Sequence, residues 1–206
     1  MAKLYLAALL AAAAVSVQAQ PAPEAVPIES VDSAHTRKVF RDLSVCLAKA
    51  RPRWARETLS HPYLSEAQSR AASEALGGRD NCVPGTEGEF TFRPAGMVGN
   101  LAEHFVRTDI ERADFARLKT VLSTLAPLNV SEDFALCLAA RDPAAARDLA
   151  LSDLGSPAEM AAANRIATHV NACTNEGEKL KIDLQGLRAL VSVALYRGLS
   201  TVQARS

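Results

Sequence analysis

CLAKARPRWAR, residues 46–56, and CLAARDPAAAR, residues 137–147, are two versions of one segment. They share the Cys-Leu-Ala start, the proline and the closing Ala-Arg in register. Working outward, Cys46 and Cys82 lie 36 positions apart, as do Cys137 and Cys173, and the second pair follows the first by 91 residues. Val39 and Asp42 match Val130 and Asp133 upstream; Ser65, Ala67, Ala71 and Ala72 match Ser156, Ala158, Ala162 and Ala163 downstream. Beyond the second cysteine the register slips by one, so that Gly96 meets Gly186 and Arg107 meets Arg197. Self-similarity at a fixed period marks a repeat architecture, but an open solenoid usually needs about three or more units. Two long copies predict a pair packed about a pseudo-two-fold axis.

Local signals predict helices in both copies. From about Ala34 the period is 3.6, with Val39, Leu43, Cys46 and Leu47 on one face. Pro52, and Pro143 after Asp142, suit the first position of a second helix, and aspartate is a good cap. Ser65 with Gln68, and Ser156 with Glu159, read as capping boxes that open a third. The third helices are expected to run out in 77–81 and in 169–172. Short extended pieces, 89–92 and 180–182, are too brief for an independent sheet. Fourth helices are expected near Pro94 and Asp183, with a connecting helix from about Arg112 to Leu125. The last helix is apolar nearly all round (Leu187, Leu190, Val191, Val193, Ala194, Leu195), which predicts a central position. The expected fold is all-α: an internally duplicated pair of disulfide-stapled units, about four helices each, packed as one pseudo-two-fold domain. Residues 34–125 form the first unit with its connecting helix, and 126–206 the second.

The start of the chain reads as an export signal. Lys3 supplies the positive charge, Leu4 to Val15 the apolar stretch, and Val17-Gln18-Ala19 a small-residue cleavage site before Gln20. The rival, a membrane anchor, needs roughly 20 apolar residues, more than this stretch has. Residues 1–19 are therefore assigned to a cleaved leader, and 20–33, with Pro21, Pro23 and Pro27, to a flexible tether. The second apolar stretch, Leu187 to Leu199, is interrupted by Arg188 and Arg197 and reads as a buried soluble helix. The expected location is periplasmic or secreted, with no stable membrane insertion after cleavage.

In that compartment four evenly spaced cysteines predict disulfides. Four cysteines allow three connectivities. Pairing within each copy, Cys46–Cys82 and Cys137–Cys173, is favoured; a crossed set, Cys46–Cys173 with Cys82–Cys137, also respects the symmetry. Zinc is the rival, but no C-x-x-C or His/Cys cluster is present. Lys3 is the only charge lost with the leader, so 23 basic against 23 acidic residues becomes 22 against 23. A near-neutral chain gives no electrostatic case for nucleic acid.

Cys82-Val-Pro-Gly85 and the run Arg93-Pro-Ala-Gly-Met-Val-Gly-Asn-Leu-Ala-Glu-His-Phe105 resemble a class of uncharacterised exported alphaproteobacterial proteins with C-x-P-G and R-G-x-x-A-E-x-x-Y/F motifs. The resemblance spans about Val39 to Arg197 and implies an exported all-helical protein with no assigned activity. The second copy departs from it: Thr174-Asn175-Glu176 replaces Val-Pro-Gly, and Ser192-Val193 replaces Ala-Glu.

No catalytic signature is present: no G-x-S-x-G, H-E-x-x-H, phosphate-binding glycine loop or C-x-x-C. The chain leans away from an enzyme, and no cofactor or metal is expected. Residues kept in both copies are assigned to folding, and each conserved aspartate is expected to pair with the arginine of its own copy, Asp42 with Arg56 and Asp133 with Arg147. Residues found in one copy only are the candidates for binding. Arg51, Arg53 and Trp54 face Asp142, Ala144 and Ala145, and an exposed tryptophan between arginines grips anionic or aromatic partners; the plain alternative is that Trp54 fills the core. Glu103 and His104 stand where the second copy has Val193 and Ala194; the plain alternative is a hydrogen-bonded pair at a helix edge. The expected role is a non-catalytic interaction or scaffold module whose partner is an envelope protein. The alternative is a small-molecule binder or enzyme with a site between the units.

Overall fold

The computed structural model describes residues 34–74, 82, 94–112, 115–174 and 181–204. The leader, the tether, the extended piece 89–92, the turn 77–81 and most of the C-V-P-G motif lie outside the described residues. Helix α1 (Ala34–Ala50) is followed by α2 (Pro52–Ser60), α3 (Glu66–Glu74) and α4 (Pro94–Asp109). A 3-10 turn, Ile110–Arg112, leads to α5 (Phe115–Thr124). The second half runs through α6 (Val130–Arg141), α7 (Pro143–Leu151), α8 (Pro157–Ala167), a short α9 (Val170–Cys173) and α10 (Leu184–Ala204). The fold is all-α, with both disulfides formed within their own halves, Cys46–Cys82 and Cys137–Cys173. Where the third helix of the second half was expected to unwind, α9 forms one more turn and carries Cys173 to its bridge.

Matched positions behave alike. Pro52 and Pro143 each open a helix, but only Asp142 caps one, its Oδ1 accepting from the Ala145 amide at 2.8 Å; Arg51 provides no side-chain cap. Ser65 and Ser156 each accept from the amide three residues on, both at 3.1 Å. Gln68 and Glu159 reach back in turn, accepting from the amides of Leu64 at 2.9 Å and Gly155 at 2.6 Å. Leu64 and Gly155, 91 residues apart, both take positive φ, 63° and 75°. Glycine adopts that conformation freely, whereas leucine is strained there by about 1–2 kcal/mol.

Helices α4 and α10 share the largest interface, and α10 also packs on α5, α6 and α7, so the last helix is central as its all-round apolarity predicts. Gly99 makes the close approach possible: a Cβ there would lie 2.3 Å from Ala189 Cβ and 2.7 Å from its Cα. In the slipped register Gly99 and Ala189 occupy matched positions, so the two helices touch at equivalent points. Around this contact lie Met97, Leu101, Leu187, Val191 and Leu195, all buried.

The expected ion pairs do not form. Asp42 lies on the exposed side of α1 and takes Lys38, one turn back, at 2.6 Å. Arg56 instead lies over the Phe105 ring, 4.3 Å from its centroid, and Arg147 lies 6.0 Å from that of Phe115. Asp133 is solvent-exposed on α6. The two matched arginines thus do share a task, which is to cover an aromatic ring with a cation at the surface, a contact of about 0.5–1 kcal/mol when exposed.

Candidate functional site

The densest polar structure in the described residues is a buried cluster joining α1, α4, α8 and α10. Glu103, on the inner face of α4, is 1% exposed, and Arg188 on α10 is 4% exposed. Arg188 grips Glu103 in a fork, Nε to Oε2 at 2.7 Å and Nη2 to Oε1 at 3.0 Å. Its other hydrogens go to Ser152 Oγ, Glu159 Oε1 and the carbonyls of Ala150 and Ser152, at 2.8–3.3 Å. Arg107, one turn along from Glu103, adds Nε at 2.9 Å, and Arg41 of α1 adds a longer contact at 3.5 Å. Across the cluster Arg37 donates to both oxygens of Glu159, at 2.7 and 3.0 Å. Such forked guanidinium–carboxylate bonds are shorter and stronger than neutral ones.

Burial pushes the Glu103 carboxyl up, but the bond and charge of Arg188, helped by Arg107, outweigh it and hold the group below the ordinary carboxylate range. Glu159 is treated the same way: burial raises it, while Arg37, the Gly155 amide and Arg188 together bring it below that range. Both groups are therefore acceptors with their oxygens occupied, and neither is a proton donor at neutral pH.

A second, smaller joint mirrors the first. Arg197 of α10 binds Glu132 of α6, and Glu132 also accepts from the amides of Tyr63 at 2.9 Å and Leu128 at 3.0 Å. Asn129 caps α6 and donates to the Tyr63 carbonyl at 2.7 Å. Register matches Arg41 to Glu132 and Arg107 to Arg197. The first half thus has arginine at both positions, and Glu103 supplies the missing carboxylate between them.

Of the residues expected to bind a partner, only Glu103 belongs to this cluster. His104, next in the chain, does not bond to Glu103. It sits 5.3 Å from the Phe105 ring, and burial, then the neighbouring Lys49, push its imidazole below its ordinary value; Arg56 acts in the same direction and Asp109 opposes. Trp54 is half-buried, packs on the core and donates Nε1 to the Ala71 carbonyl at 2.9 Å, tying α2 to α3. Arg53 is exposed and Arg51 half-buried. Trp54 and His104 thus engage different neighbours, Ala71 and Phe105, and neither joins the cluster around Glu103. The residues that make the cluster, Arg37, Arg41, Arg107, Glu159 and Arg188, were missed as a group. Arg188 carried a signal, because a charge inside a helix apolar on all sides must find a buried partner.

A small cleft opens beside the cluster between α1, α4 and α10, lined by Arg37, Asn100, Glu103, Gln185 and Arg188 among others. It has room of about 10 Å³ for the centre of a water-sized group. Among the described residues no group of three or more His, Cys, Asp or Glu is placed to hold a metal ion. No family model, curated protein or solved structure matches the chain.

Proposed function

We propose that this protein is an exported, non-catalytic interaction or scaffold module of the cell envelope, built from two copies of one stapled helical unit. The observation that carries the non-catalytic reading is the state of Glu103. Both its oxygens accept from arginines, and it is held ionised in a joint between helices. A carboxylate so engaged clamps helices together and has no proton to deliver at neutral pH. The duplicated reading is supported by the matched caps, the matched positive-φ residues and the Gly99–Ala189 contact. Export is supported by the two disulfides, the leader-like start, and the fact that no described helix is long and apolar enough to cross a membrane. The resemblance of residues 82–85 and 93–105 to exported alphaproteobacterial proteins points the same way.

The test has two arms. The full chain is expressed in a Gram-negative host, and the periplasmic species is sequenced from its N-terminus and weighed under non-reducing conditions. A chain starting at Gln20 with no free thiol is expected; a cytoplasmic chain that keeps residues 1–19 overturns the export reading. In the second arm a photo-crosslinking residue replaces, in turn, the exposed apolar Leu64, Leu128 and Val130. One discrete adduct in the envelope fraction is expected. Absence of any adduct from all three positions overturns the interaction reading.

A further inference from the structure

We propose that the corner where the N-terminal caps of α3 and α6 meet docks a short amphipathic segment of an envelope partner, one that sets lysine or arginine beside an apolar side chain. This names a partner class for the interaction reading above and rests on that reading. Two leucines mark the corner. Leu64 and Leu128 each stand one residue before a helix cap, Ser65 and Asn129, and each donates its amide to the side chain at the third helical position, Gln68 and Glu132. An apolar residue in that place often packs on an apolar residue at the fourth helical position. Here the fourth position holds Ser69 in one helix and Asp133 in the other. Both leucines are left without that cover, 51% and 52% exposed. The two caps are bonded to each other: Glu132 accepts from the Tyr63 amide at 2.9 Å, and Asn129 donates to the Tyr63 carbonyl at 2.7 Å. Leu64, next to Tyr63, is thereby held close to Leu128 and Val130, which flank Asn129; Val130 is 79% exposed.

Folding alone does not call for leucine at position 64. Its φ of 63° suits glycine or asparagine, and the matched residue is Gly155. The matched corner of the second half is closed: a Cβ on Gly155 would come 2.8 Å from Ala34 Cβ, and Arg37, matched to Leu128, is buried against Glu159. A strained, exposed leucine beside two more exposed aliphatic residues is placed for a partner. Size and charge then select the occupant. Three aliphatic side chains fall well short of the roughly 800 Å² that each partner gives to a stable interface, which selects a short segment over a second copy of the chain. The exposed charges in the first turns of α3 and α6 are both acidic, Glu66 and Asp133. Arg70 offsets Glu66 from one turn along. The Asp133 carboxylate, one turn from Val130, has no partner among the described residues. An acidic rim attracts a basic flank and repels an anionic lipid surface.

The experiment uses the mature, disulfide-bonded protein and two fluorescein-labelled amphipathic peptides of equal length, one built from leucine and lysine, the other from leucine and glutamate. Fluorescence polarisation should show saturable binding of the lysine peptide, weakened by salt, and binding of the glutamate peptide at least tenfold weaker. Leu64→Asn suits the backbone and removes the apolar group. It should weaken lysine-peptide binding at least tenfold without lowering the unfolding midpoint. Leu128→Gln should weaken it in the same way, and Asp133→Asn should narrow the gap between the two peptides. Equal binding of both peptides, no binding of the lysine peptide, or binding that Leu64→Asn leaves unchanged overturns the proposal. So does a lowered midpoint in Leu64→Asn, which assigns the leucine to folding. A parent that sediments as a dimer, with Leu64→Asn a monomer, also overturns it by making a second copy the occupant. Failure of the interaction reading is a different result, namely no photo-adduct from Leu64, Leu128 or Val130. An adduct to an acidic partner segment keeps that reading and overturns only this one.

Discussion

Glu103→Gln tests the buried clamp most directly. Glutamine keeps the shape of the side chain and removes one negative charge. Arg41, Arg107, Arg188 and Arg37 then face a single carboxylate, Glu159. Removing one partner of a buried ion pair typically costs about 3–5 kcal/mol, because the other charge stays buried without compensation. Arg188 keeps Glu159 Oε1 at 3.1 Å and the Ser152 contacts, which places the expected loss at the lower end, about 3 kcal/mol. For a domain of this size that corresponds to a fall in Tm of about 6–12 °C. Thermal unfolding followed by circular dichroism, with disulfides intact, measures it. A Tm within about 2 °C of the parent would falsify the clamp.

The double variant Glu103→Leu with Arg188→Met separates the pair from its surroundings. Replacing both members of a buried pair by apolar groups of similar volume is often neutral or stabilising. The chain holds a precedent, because the positions matched to Arg188 and Glu103 are Val98 and Val193, both buried. The double variant should therefore be more stable than either single one, giving a coupling energy well above the spread for independent sites. Additive losses would show that the two residues act separately.

Three further outcomes follow from the geometry. Stability should fall with acid in two stages: the imidazole of His104 lies below its ordinary value, so the unfolded chain takes up its proton first and stability declines gently as pH drops through about 6.5. Glu103 and Glu159 are held low, so their contribution is intact above the unfolded carboxylate range and is lost below about 4.5; urea midpoints across pH should show the first stage absent in His104→Gln and the second reduced in Glu103→Gln. Gly99→Ala should destabilise by about 1–3 kcal/mol, since its Cβ meets the Ala189 backbone, whereas Gly198→Ala, whose nearest neighbour is Leu118 Cδ1 at 2.8 Å, should lose less because a leucine tip can turn aside; their ranking in chemical denaturation checks this. Replacing Cys137 and Cys173 together by serine should cost about 2–4 kcal/mol and should be measured as a lowered urea midpoint, with equal midpoints for parent and variant counting against the staple.

Helix order, both capping boxes and the central last helix were legible in the sequence because each rests on residues within a few positions of one another. Ser156 meets the amide of Glu159, and Pro143 opens a helix, without help from the rest of the fold. The clamp was not legible for the opposite reason. Arg37 and Glu159 are 122 positions apart, and Glu103 and Arg188 are 85 apart. On its own helix Arg37 passes for a solvated charge, Glu159 for a capping-box residue, and Glu103 for a helix-edge partner of His104. Only Arg188, and Arg197 beside it, stood on a helix with no polar face, and both proved to hold a glutamate.

The failed Asp42–Arg56 and Asp133–Arg147 pairs show where matching of sequence positions misleads. Matching positions identifies tasks that both halves perform within themselves, such as capping a helix or covering a phenylalanine. A contact across a pseudo-two-fold axis has a different logic. If position A of one half meets position B of the other, the same contact recurs with the halves exchanged, and the two occurrences are free to diverge. The positions matched to Arg188 and Glu103 are Val98 and Val193, both buried, an apolar pair at the register of the charged one. Arg41 stands at the register of Glu132 and Gln68 at that of Glu159, so charge differs between matched positions here too. Residues peculiar to one half therefore mark the seam between halves before they mark a ligand.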